Sequence, residues 1–276
     1  MRQGTLSFLL ILLLVFQAAS AAATETLIAS GCSVSNVGYL NDLAREYEKR
    51  TPGVTIMIRG GGSLLGLTEL KGDKIDFAAS CKSKGPADPV DFEFIPIAWD
   101  ALVFIVNKSN PVDSVTVADV QHIYDGSFVN WKQLGGADMT IKSFCSTPAG
   151  QGGVGEAMSK YLFSGKEFAP PVSNSIIMAS SVSVWEQMVE KSPEGFASTG
   201  YASARMRDVK LLKLNGVAPG KETIISGQYP FKRYLYLVIN NKEVKPEAKK
   251  FVDFARSPEG QQLISALGLP ALAEIK

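Results

Sequence analysis

The sequence repeats one local pattern, in which a short apolar run leads into a Gly/Ser-rich loop and then into a helical pattern. The run LIAS (27–30) is followed by apolar residues at helical spacing over 37–47. The run VTIMI (54–58) leads into the glycines and serine of 60–63, and a third run, IDFAAS (75–80), ends in a similar turn. Successive strand–loop–helix units predict a parallel sheet, because the intervening helix is the crossover that parallel neighbours require.

The loops that follow these strands are the candidate ligand loops. In parallel sheets, ligands bind beyond the carboxyl ends of the strands, which points to loops 30–35, 60–64 and 80–85. A later strand, MTIKSF (139–144), is followed by small residues and a helical pattern that begins near Gly152. A Gly/Ser loop that opens a helix accepts an anion without a formal counter-charge, because the first N–H groups of a helix have no intrahelical acceptor.

Two long apolar strands, near 99–106 and 231–240, are suited to connect separate lobes. The sequence therefore predicts a two-lobed α/β protein with a cleft between the lobes. The predicted lobe I comprises 24–103 plus 232–276, and the predicted lobe II comprises 104–231.

Residues 1–23 have the pattern of an export signal. Arg2 precedes the apolar run LSFLLILLLVF, and the small residues of QAASAAATE suit cleavage near Ala21 to Ala23. The apolar run is shorter than the roughly 20 residues that a bilayer span requires. We expect a signal peptide at 1–23 and a periplasmic or secreted mature protein, with a retained N-terminal anchor as the alternative.

The charge balance argues against nucleic acid as a partner. Lys and Arg number 28 against 27 Asp and Glu, and Arg2 is the one charged residue of 1–23, so the remaining chain has 27 of each sign. Nucleic-acid binding normally needs a net basic footprint. No HExxH, GxSxG or P-loop motif occurs, and the single histidine, His122, is expected to face solvent, so no enzyme activity is predicted.

Several segments in a fixed order resemble one protein family. They are GCSV, RGGGSLLG, IDFAAS, HIYDGSFVNWKQLGG, YPFKRYLYLVINN and FVDFARSPEGQQLISALG. Together they resemble the phosphate-binding family of extracytoplasmic solute-binding proteins of ABC importers, over essentially all of the mature chain. The resemblance implies a periplasmic-binding-protein-like fold of type II, in which each lobe is a mainly parallel sheet flanked by helices. It further implies capture of phosphate or a related small oxyanion in the interlobe cleft.

The same resemblance implies the partners and the site residues. The partners are a small anion and a membrane ABC permease, the protein is a monomer, and no cofactor is expected. The implied ligand-binding residues are Ser33, Val34, Gly62, Ser63, Cys81, Gly150 and Gln151.

Two departures from the family concern charge. Cys81 stands where the family usually carries an Arg or Asp, and Cys145 stands where it carries an Arg. A bidentate Arg clamp for phosphate is therefore absent at these positions. Lys82, Lys84 and Lys142 either replace the charge or are surface lysines, and the surface position is the more common one for this residue type.

The three cysteines, Cys32, Cys81 and Cys145, all fall on loops expected to converge on the cleft. One interpretation is apolar packing, or one disulfide with a third thiol left over. A second is a thiolate cluster for a soft metal, a metalloid or a cofactor. A third is a redox sensor or enzyme on the same fold. The sequence leaves these interpretations open.

A few other side chains are candidates for the cleft or for the core. Trp131 and Trp185 are expected in the core. Ser180 and Ser181 precede a helix and either cap it, as we expect, or add hydroxyls to the ligand. Arg233, beside the second long strand, is expected to be a surface charge.

Overall fold

A computed structural model describes four stretches of the chain. They are residues 24–145, 152–167, 176–178 and 181–275. The predicted export signal at 1–23 and the candidate ligand residues Gly150 and Gln151 lie outside the described residues. Within the described stretches, no helix has both the length and the apolar character needed to cross a bilayer.

The secondary structure alternates strands and helices along most of the chain. The strands are β1 (Glu25–Gly31), β2 (Val54–Arg59), β3 (Phe77–Ser80), β4 (Phe92–Asn107), β5 (Ser114–Val115), β6 (Lys142–Cys145), β7 (Ile176–Met178), β8 (Gly195–Gly200), β9 (Val209–Leu211), β10 (Lys213–Leu214) and β11 (Lys232–Asn240). The α-helices are α1 (Ser33–Ser35), α2 (Asn41–Arg50), α3 (Ser63–Lys71), α4 (Val117–Asp125), α5 (Gly153–Leu162), α6 (Val182–Lys191), α7 (Tyr201–Ala204), α8 (Lys221–Ile225), α9 (Pro246–Arg256) and α10 (Pro258–Ala266). A π-helical stretch, Asn36–Leu40, joins α1 to α2, and short 3-10 helices lie at Trp131–Leu134 and Leu272–Glu274.

The strands form a mixed sheet that is parallel on both flanks. Its order is β2-β1-β3-β11-β4-β8-β6-β7, with β9 also paired to β4. The pairs of β1 with β2 and β3, and of β6 with β7 and β8, are parallel, whereas β4 and β11 make antiparallel pairs. A separate parallel pair joins β5 to β10. The α/β class with parallel sheets and flanking helices, predicted from the sequence, is confirmed.

The strand β4 changes partners along its length. Its residues up to Ala101 pair with β11, and from Leu102 onward it pairs with β8. We call β1, β2, β3 and β11 the first half of the sheet, and β6, β7, β8 and β9 the second half. The two long strands that the sequence predicts as connections are β4 and β11, which lie side by side at the junction. The lobe boundaries themselves stay a prediction.

Each half of the sheet has its own hydrophobic core. Tyr39 and Phe251 are fully buried in the first core, whereas Phe104 and Trp131 are fully buried in the second. Each such side chain stabilises the fold by about 1.5–3 kcal/mol through the apolar surface that it removes from water. Two cores joined by long strands leave a junction where loops from both halves meet.

Glycines allow the first half to bring a helix start close to a strand end. Gly31, the last residue of β1, has φ +133°, and a Cβ there would lie 2.1 Å from the carbonyl oxygen of Ala79. A Cβ on Gly66 would lie 2.8 Å from the Cα of Gly31, so α3 packs directly on the end of β1. These positions accept only glycine, because no other residue combines this backbone freedom with so little volume.

Candidate functional site

A cavity of about 340 Å³ opens where the two halves of the sheet meet. Four helices of the described chain begin at its wall, with first residues Ser33 (α1), Ser63 (α3), Gly153 (α5) and Val182 (α6). The first two helices follow strands of the first half, whereas α5 and α6 flank β7 in the second half. The predicted loops 30–35 and 60–64 therefore meet helix starts of the second half at this cavity.

The residues that precede these helices leave the helix N–H groups uncapped. Cys32, Gly62, Gly152 and Ser181 occupy the N-cap positions, and none of these four makes a side-chain hydrogen bond to its helix. The first N–H groups of a helix have no intrahelical acceptor and carry partial positive charge. The cavity therefore presents main-chain donors from both halves to whatever occupies it, which is an arrangement that favours an anion.

Serine hydroxyls join these donors at the cavity wall. The Oγ of Ser33 lies 3.1 Å from the Oγ of Ser181, which lies 3.1 Å from the Oγ of Ser183. Ser33 comes from the first half and Ser181 from the second, so this contact spans the cleft. Ser181 was expected to cap α6, but its hydroxyl instead faces Ser33 and lines the cavity. Ser33 and Ser181 line the cavity, and a hydroxyl has one O–H donor and two acceptor lone pairs with which to bind a ligand.

The hydroxyl of Ser63 links the loop that follows β2 to the loop that follows β3. It accepts a hydrogen bond of 3.0 Å from the backbone N–H of Cys81 and lies 3.5 Å from the Cys81 sulfur. Both residues are almost fully buried and line the cavity. The loop after β3 is thereby held against the start of α3.

Most of the predicted ligand residues that the structure describes lie at the cavity. Ser33, Gly62, Ser63 and Cys81 line it. Val34 lies elsewhere: its side chain is fully buried, and its Cγ1 would lie 2.4 Å from a Cβ placed on Gly200. The first predicted ligand loop therefore lies at the cavity, while the Val34 side chain packs between α1 and β8.

The start of α5 fits closely against the loop after β3. A Cβ on Gly153 would lie 2.1 Å from the carbonyl carbon and oxygen of Cys81, a separation that real Cβ atoms do not reach. A Cβ on Gly152 would meet nothing closer than Ser63, at 3.8 Å. Glu156 accepts a hydrogen bond of 3.0 Å from the backbone N–H of Ser83, which adds a second link between the halves. The absence of a side chain at Gly153 is what lets this helix start reach the cavity.

Arg233 is buried, contrary to the prediction of a surface charge. Its Nε donates to Asp100 at 3.0 Å, and its Nη1 donates to the carbonyl oxygen of Gly153 at 2.7 Å. Asp100 is fully buried and also accepts a hydrogen bond of 2.8 Å from the backbone N–H of Ala202. Arg233 and Asp100 stand opposite each other in the β4–β11 ladder. An acidic residue within one long apolar strand and a basic residue within the other are the sequence signal that could have identified this pair.

The lysines considered as replacement charges are engaged elsewhere. Lys82 pairs with Asp88 at 2.6 Å, Lys142 pairs with Glu194 at 2.6 Å, and Lys84 donates to a backbone carbonyl. Among the residues that the structure describes, no Lys, Arg, Asp or Glu side chain lines the cavity. Its positive character therefore comes from amide dipoles and from Arg233 behind the wall.

Two of the three cysteines meet at the cavity, and they differ in acidity. A hydrogen bond from the Cys32 thiol lowers the pKa of Cys81 to about 7, assisted by the charge of Arg233 and the hydroxyl of Ser63, against the opposing effect of burial. Burial raises the pKa of Cys32 well above its ordinary value, and the neighbouring Cys81 raises it further. The negative charge of the pair therefore resides on Cys81.

Cys145 does not join the other two cysteines, which corrects the predicted cluster of Cys32, Cys81 and Cys145. It is the last residue of β6 and packs in the second core, where burial raises its pKa to about 12. In the described stretches of the chain, no three His, Cys, Asp or Glu side chains form a group that could hold a metal ion. The prediction failed because β6 runs one residue further than expected and so draws Cys145 into the sheet.

The tryptophans divide between the core and the cavity. Trp131 is fully buried and donates from its ring N–H to the carbonyl oxygen of Glu194 at 3.0 Å, as a core residue would. Trp185 is also buried, but one face of its environment is the cavity. Periodicity identifies Trp185 as buried without distinguishing a core from a cavity wall.

Comparison with known proteins places this architecture in a family. The family model of the PBP superfamily domain matches residues 17–259. This chain belongs to the PBP superfamily. Among curated proteins, a superfamily relative named phosphate-binding protein PstS from Borreliella burgdorferi is 27% identical over 252 residues, which cover 88% of this chain and 89% of the relative. The PstS of Pseudomonas aeruginosa is also 27% identical, over 80% of this chain and 75% of its own length.

Solved structures of the superfamily share the fold. A substrate-binding protein of Clostridium perfringens with bound phosphate, named for a phosphate ABC transporter, superimposes with a TM-score of 0.78 at 20% identity. The match covers 90% of this chain and all of that protein. An ABC-type phosphate transport receptor from Vibrio cholerae gives a TM-score of 0.66 at 22% identity over 90% of this chain. The family resemblance stated from the sequence motifs is confirmed.

Proposed function

We propose that this protein is an exported solute-binding protein that captures phosphate, or a closely related tetrahedral oxyanion, and delivers it to a membrane ABC importer. The observation that carries the proposal is the convergence of four uncapped helix starts and several serine hydroxyls on one cavity. Such a donor array satisfies anion oxygens from several directions without a formal positive charge in contact. The names of the PstS relatives support phosphate as the ligand.

The proposed mechanism is closure of the two halves around the anion. Ser33 and Ser63 contribute from the first half, and Gly153 and Ser181 contribute from the second. A ligand favours the closed state only to the extent that it gains contacts there that the open state lacks. An oxyanion bound to donors of both halves gains its second set of contacts only on closure. We propose the boundaries near 103 and 232 as the hinge, where β4 and β11 join the halves.

Other elements of the proposal follow from the sequence. Residues 1–23 direct export, the partner is an ABC permease, and the protein works as a monomer with neither cofactor nor turnover. Gly150 and Gln151, which lie outside the described residues, stay predicted ligand residues on the basis of the family resemblance. Capture alone suffices for this role, because release and transport take place at the permease.

Calorimetric titration of the purified chain with inorganic phosphate tests the function, with thermal unfolding as a second readout. We expect a one-to-one complex and a rise in melting temperature that grows with phosphate concentration, since a ligand that binds only the native state stabilises it by about 2.7 kcal/mol at a hundredfold excess over Kd. Chloride at matched ionic strength is the control. The absence of both binding heat and stabilisation at millimolar phosphate would contradict the proposal.

Oxyanions of the same shape refine the test. Arsenate, which shares the geometry and protonation of phosphate, is expected to compete. Sulfate carries no proton at neutral pH, so its affinity relative to phosphate shows whether the site requires a protonated anion. Preference for sulfate over phosphate would move the proposal to a different oxyanion while retaining the capture mechanism.

A further inference from the structure

Cys32 and Cys81 both line the same cavity. Both residues follow neighbouring parallel strands, β1 and β3, whose register pairs Gly31 with Ala79. The backbone N–H of Cys32 continues this ladder by donating to the carbonyl oxygen of Ala79 at 2.8 Å. The chain path therefore places the two cysteines at the ends of neighbouring strands, at the carboxyl edge of the sheet.

The two thiols differ in exposure as well as in acidity. Cys81 is 6% exposed and Cys32 is 1% exposed, so Cys81 is the more accessible of the two residues. Cys81 also carries the negative charge of the pair, since its pKa is lowered to about 7 by the Cys32 thiol, Arg233 and Ser63. A thiolate next to a second thiol is the arrangement on which thiol–disulfide exchange depends.

We propose that Cys32 and Cys81 form a thiol–disulfide exchange site for small organic disulfides inside the anion cavity, and that its oxidation state sets the affinity of the cavity for the anion. The second half of this inference rests on the proposed function. The first half, the exchange site itself, does not depend on the proposed function.

The exchange is balanced with the organic disulfide, RSSR, as the oxidant. The Cys81 thiolate attacks one sulfur of RSSR, which forms a mixed disulfide and releases RS⁻. The RS⁻ takes the proton of Cys32, and the resulting Cys32 thiolate attacks the Cys81 sulfur and expels a second RS⁻. That second RS⁻ takes up the proton that Cys81 lost earlier. The protein gains one S–S bond, and RSSR is reduced to two RSH.

The link to anion affinity is electrostatic. A Cys81 thiolate places negative charge at the wall of a cavity built to receive an anion, whereas the disulfide is neutral. The other charged and titratable groups around Cys81 are Arg233 and Asp100 on the central strands, Tyr39 on the π-helical stretch, and Glu156 and Lys160 on α5. These groups are present in both redox states, so a difference in anion affinity between the two states is due to the cysteine pair.

The first experiment tests the exchange site. The purified full chain is equilibrated with hydroxyethyl disulfide, quenched in acid, alkylated under denaturing conditions and digested for mass spectrometry. We expect a Cys32–Cys81 bridge in wild type and in Cys145→Ser, and no bridge in Cys32→Ser. A chain in which Cys32 and Cys81 are both recovered as alkylated thiols, or are bridged to Cys145, would overturn the exchange site.

The second experiment tests the coupling by titrating inorganic phosphate into the reduced and the oxidised chain. With a Cys81 pKa of about 7, the reduced form is expected to bind about tenfold more weakly than the oxidised form at pH 8 and about equally at pH 6. The protonation of phosphate affects both forms alike, so their ratio isolates Cys81. Equal affinities at pH 8 would overturn the coupling. A chain that forms the bridge but binds no phosphate in either state would retain the exchange site and contradict the proposed function.

Discussion

Arg233, on the strand β11, donates a hydrogen bond of 2.7 Å to the carbonyl oxygen of Gly153, the first residue of α5. The guanidinium is also ion-paired with Asp100 behind the cavity wall. A single buried charge therefore positions a helix start of the second half of the sheet and supplies positive potential to the site. The relationship explains how the cavity favours an anion although no lysine or arginine lines it among the described residues.

Removal of the Arg233 charge is expected to destabilise the protein and to weaken anion binding. Arg233→Gln leaves Asp100 buried without its counter-ion, which costs about 3–5 kcal/mol of unfolding free energy. Urea denaturation measures the cost, and phosphate calorimetry at a temperature where the variant stays folded measures the affinity. Arg45→Gln is the matched control, because Arg45 is exposed on α2 and its pair with Asp42 contributes well under 1 kcal/mol. Equal stabilities of the two variants would contradict the role of Arg233.

A methyl group at Gly153 is expected to disrupt the approach of α5 to the cavity. In Gly153→Ala the Cβ would overlap the peptide group of Cys81, so the helix start must move, at a cost of about 1–3 kcal/mol. Phosphate affinity is expected to fall with it, as measured by calorimetry. Gly72→Ala is the control, since a Cβ there has no neighbour closer than 3.6 Å. Wild-type affinity in Gly153→Ala would show that this contact does not position the site.

Ser33 and Ser181 are expected to act together in the closed state. Loss of either hydroxyl removes one ligand hydrogen bond, and each Ala variant is expected to bind phosphate about fivefold more weakly, which corresponds to about 1 kcal/mol. Because the two hydroxyls lie 3.1 Å apart, the double variant is expected to lose less than the sum of the single losses. Strict additivity would indicate that the two residues do not meet around the ligand. Ser226→Ala, on the exposed surface, is the control.

The acidity of Cys81 is expected to appear in its reactivity. In the reduced protein, the alkylation rate of Cys81 with iodoacetamide is expected to rise with a midpoint near pH 7, the value to which the Cys32 hydrogen bond and Arg233 lower its pKa. In Arg233→Gln the midpoint moves upward, since the positive charge that favours the thiolate is gone. A midpoint near pH 9 in the wild-type protein would contradict the assignment.

The same shift in pKa predicts a pH dependence of stability. A thiol whose pKa is lower in the folded than in the unfolded chain contributes stability that is present above pH 9 and is lost as the pH falls to about 7. The difference in unfolding free energy between the reduced wild-type protein and Cys81→Ser is therefore expected to grow as the pH rises from 7 to 8.5. A constant difference over this interval would contradict the lowered pKa.

The strands and ligand loops near the N-terminus were predictable because local pattern and tertiary structure agree there. Apolar runs followed by Gly/Ser turns identify β1, β2 and β3, and helical spacing identifies the segment from 37 to 47. Ser33, Gly62 and Ser63 then follow from the family motifs, since each stands at the start of a helix. Local signals sufficed wherever a residue's role depends on its own strand–loop–helix unit.

The remaining site residues depend on contacts between distant parts of the chain. Arg233 lies in the interior because Asp100 stands opposite it in another strand, a pairing that becomes evident only from the register. Ser181 has the residue type of a helix cap, and its hydroxyl faces the cavity because Ser33 approaches from the other half. Cys145 was misplaced because the boundary between a strand and its loop is the least certain feature of a sequence pattern.

Peptide N–H groups of four helix starts line the cavity, and this has a consequence for how such a protein diverges over time. An ordinary amino-acid replacement at Ser33 or Val182 changes a side chain but leaves the amide in place, and only proline deletes it. The positions of these donors therefore depend on the path of the backbone and not on the identity of most side chains. Distant descendants can exchange most of their residues and still offer the same array of donors to an incoming anion.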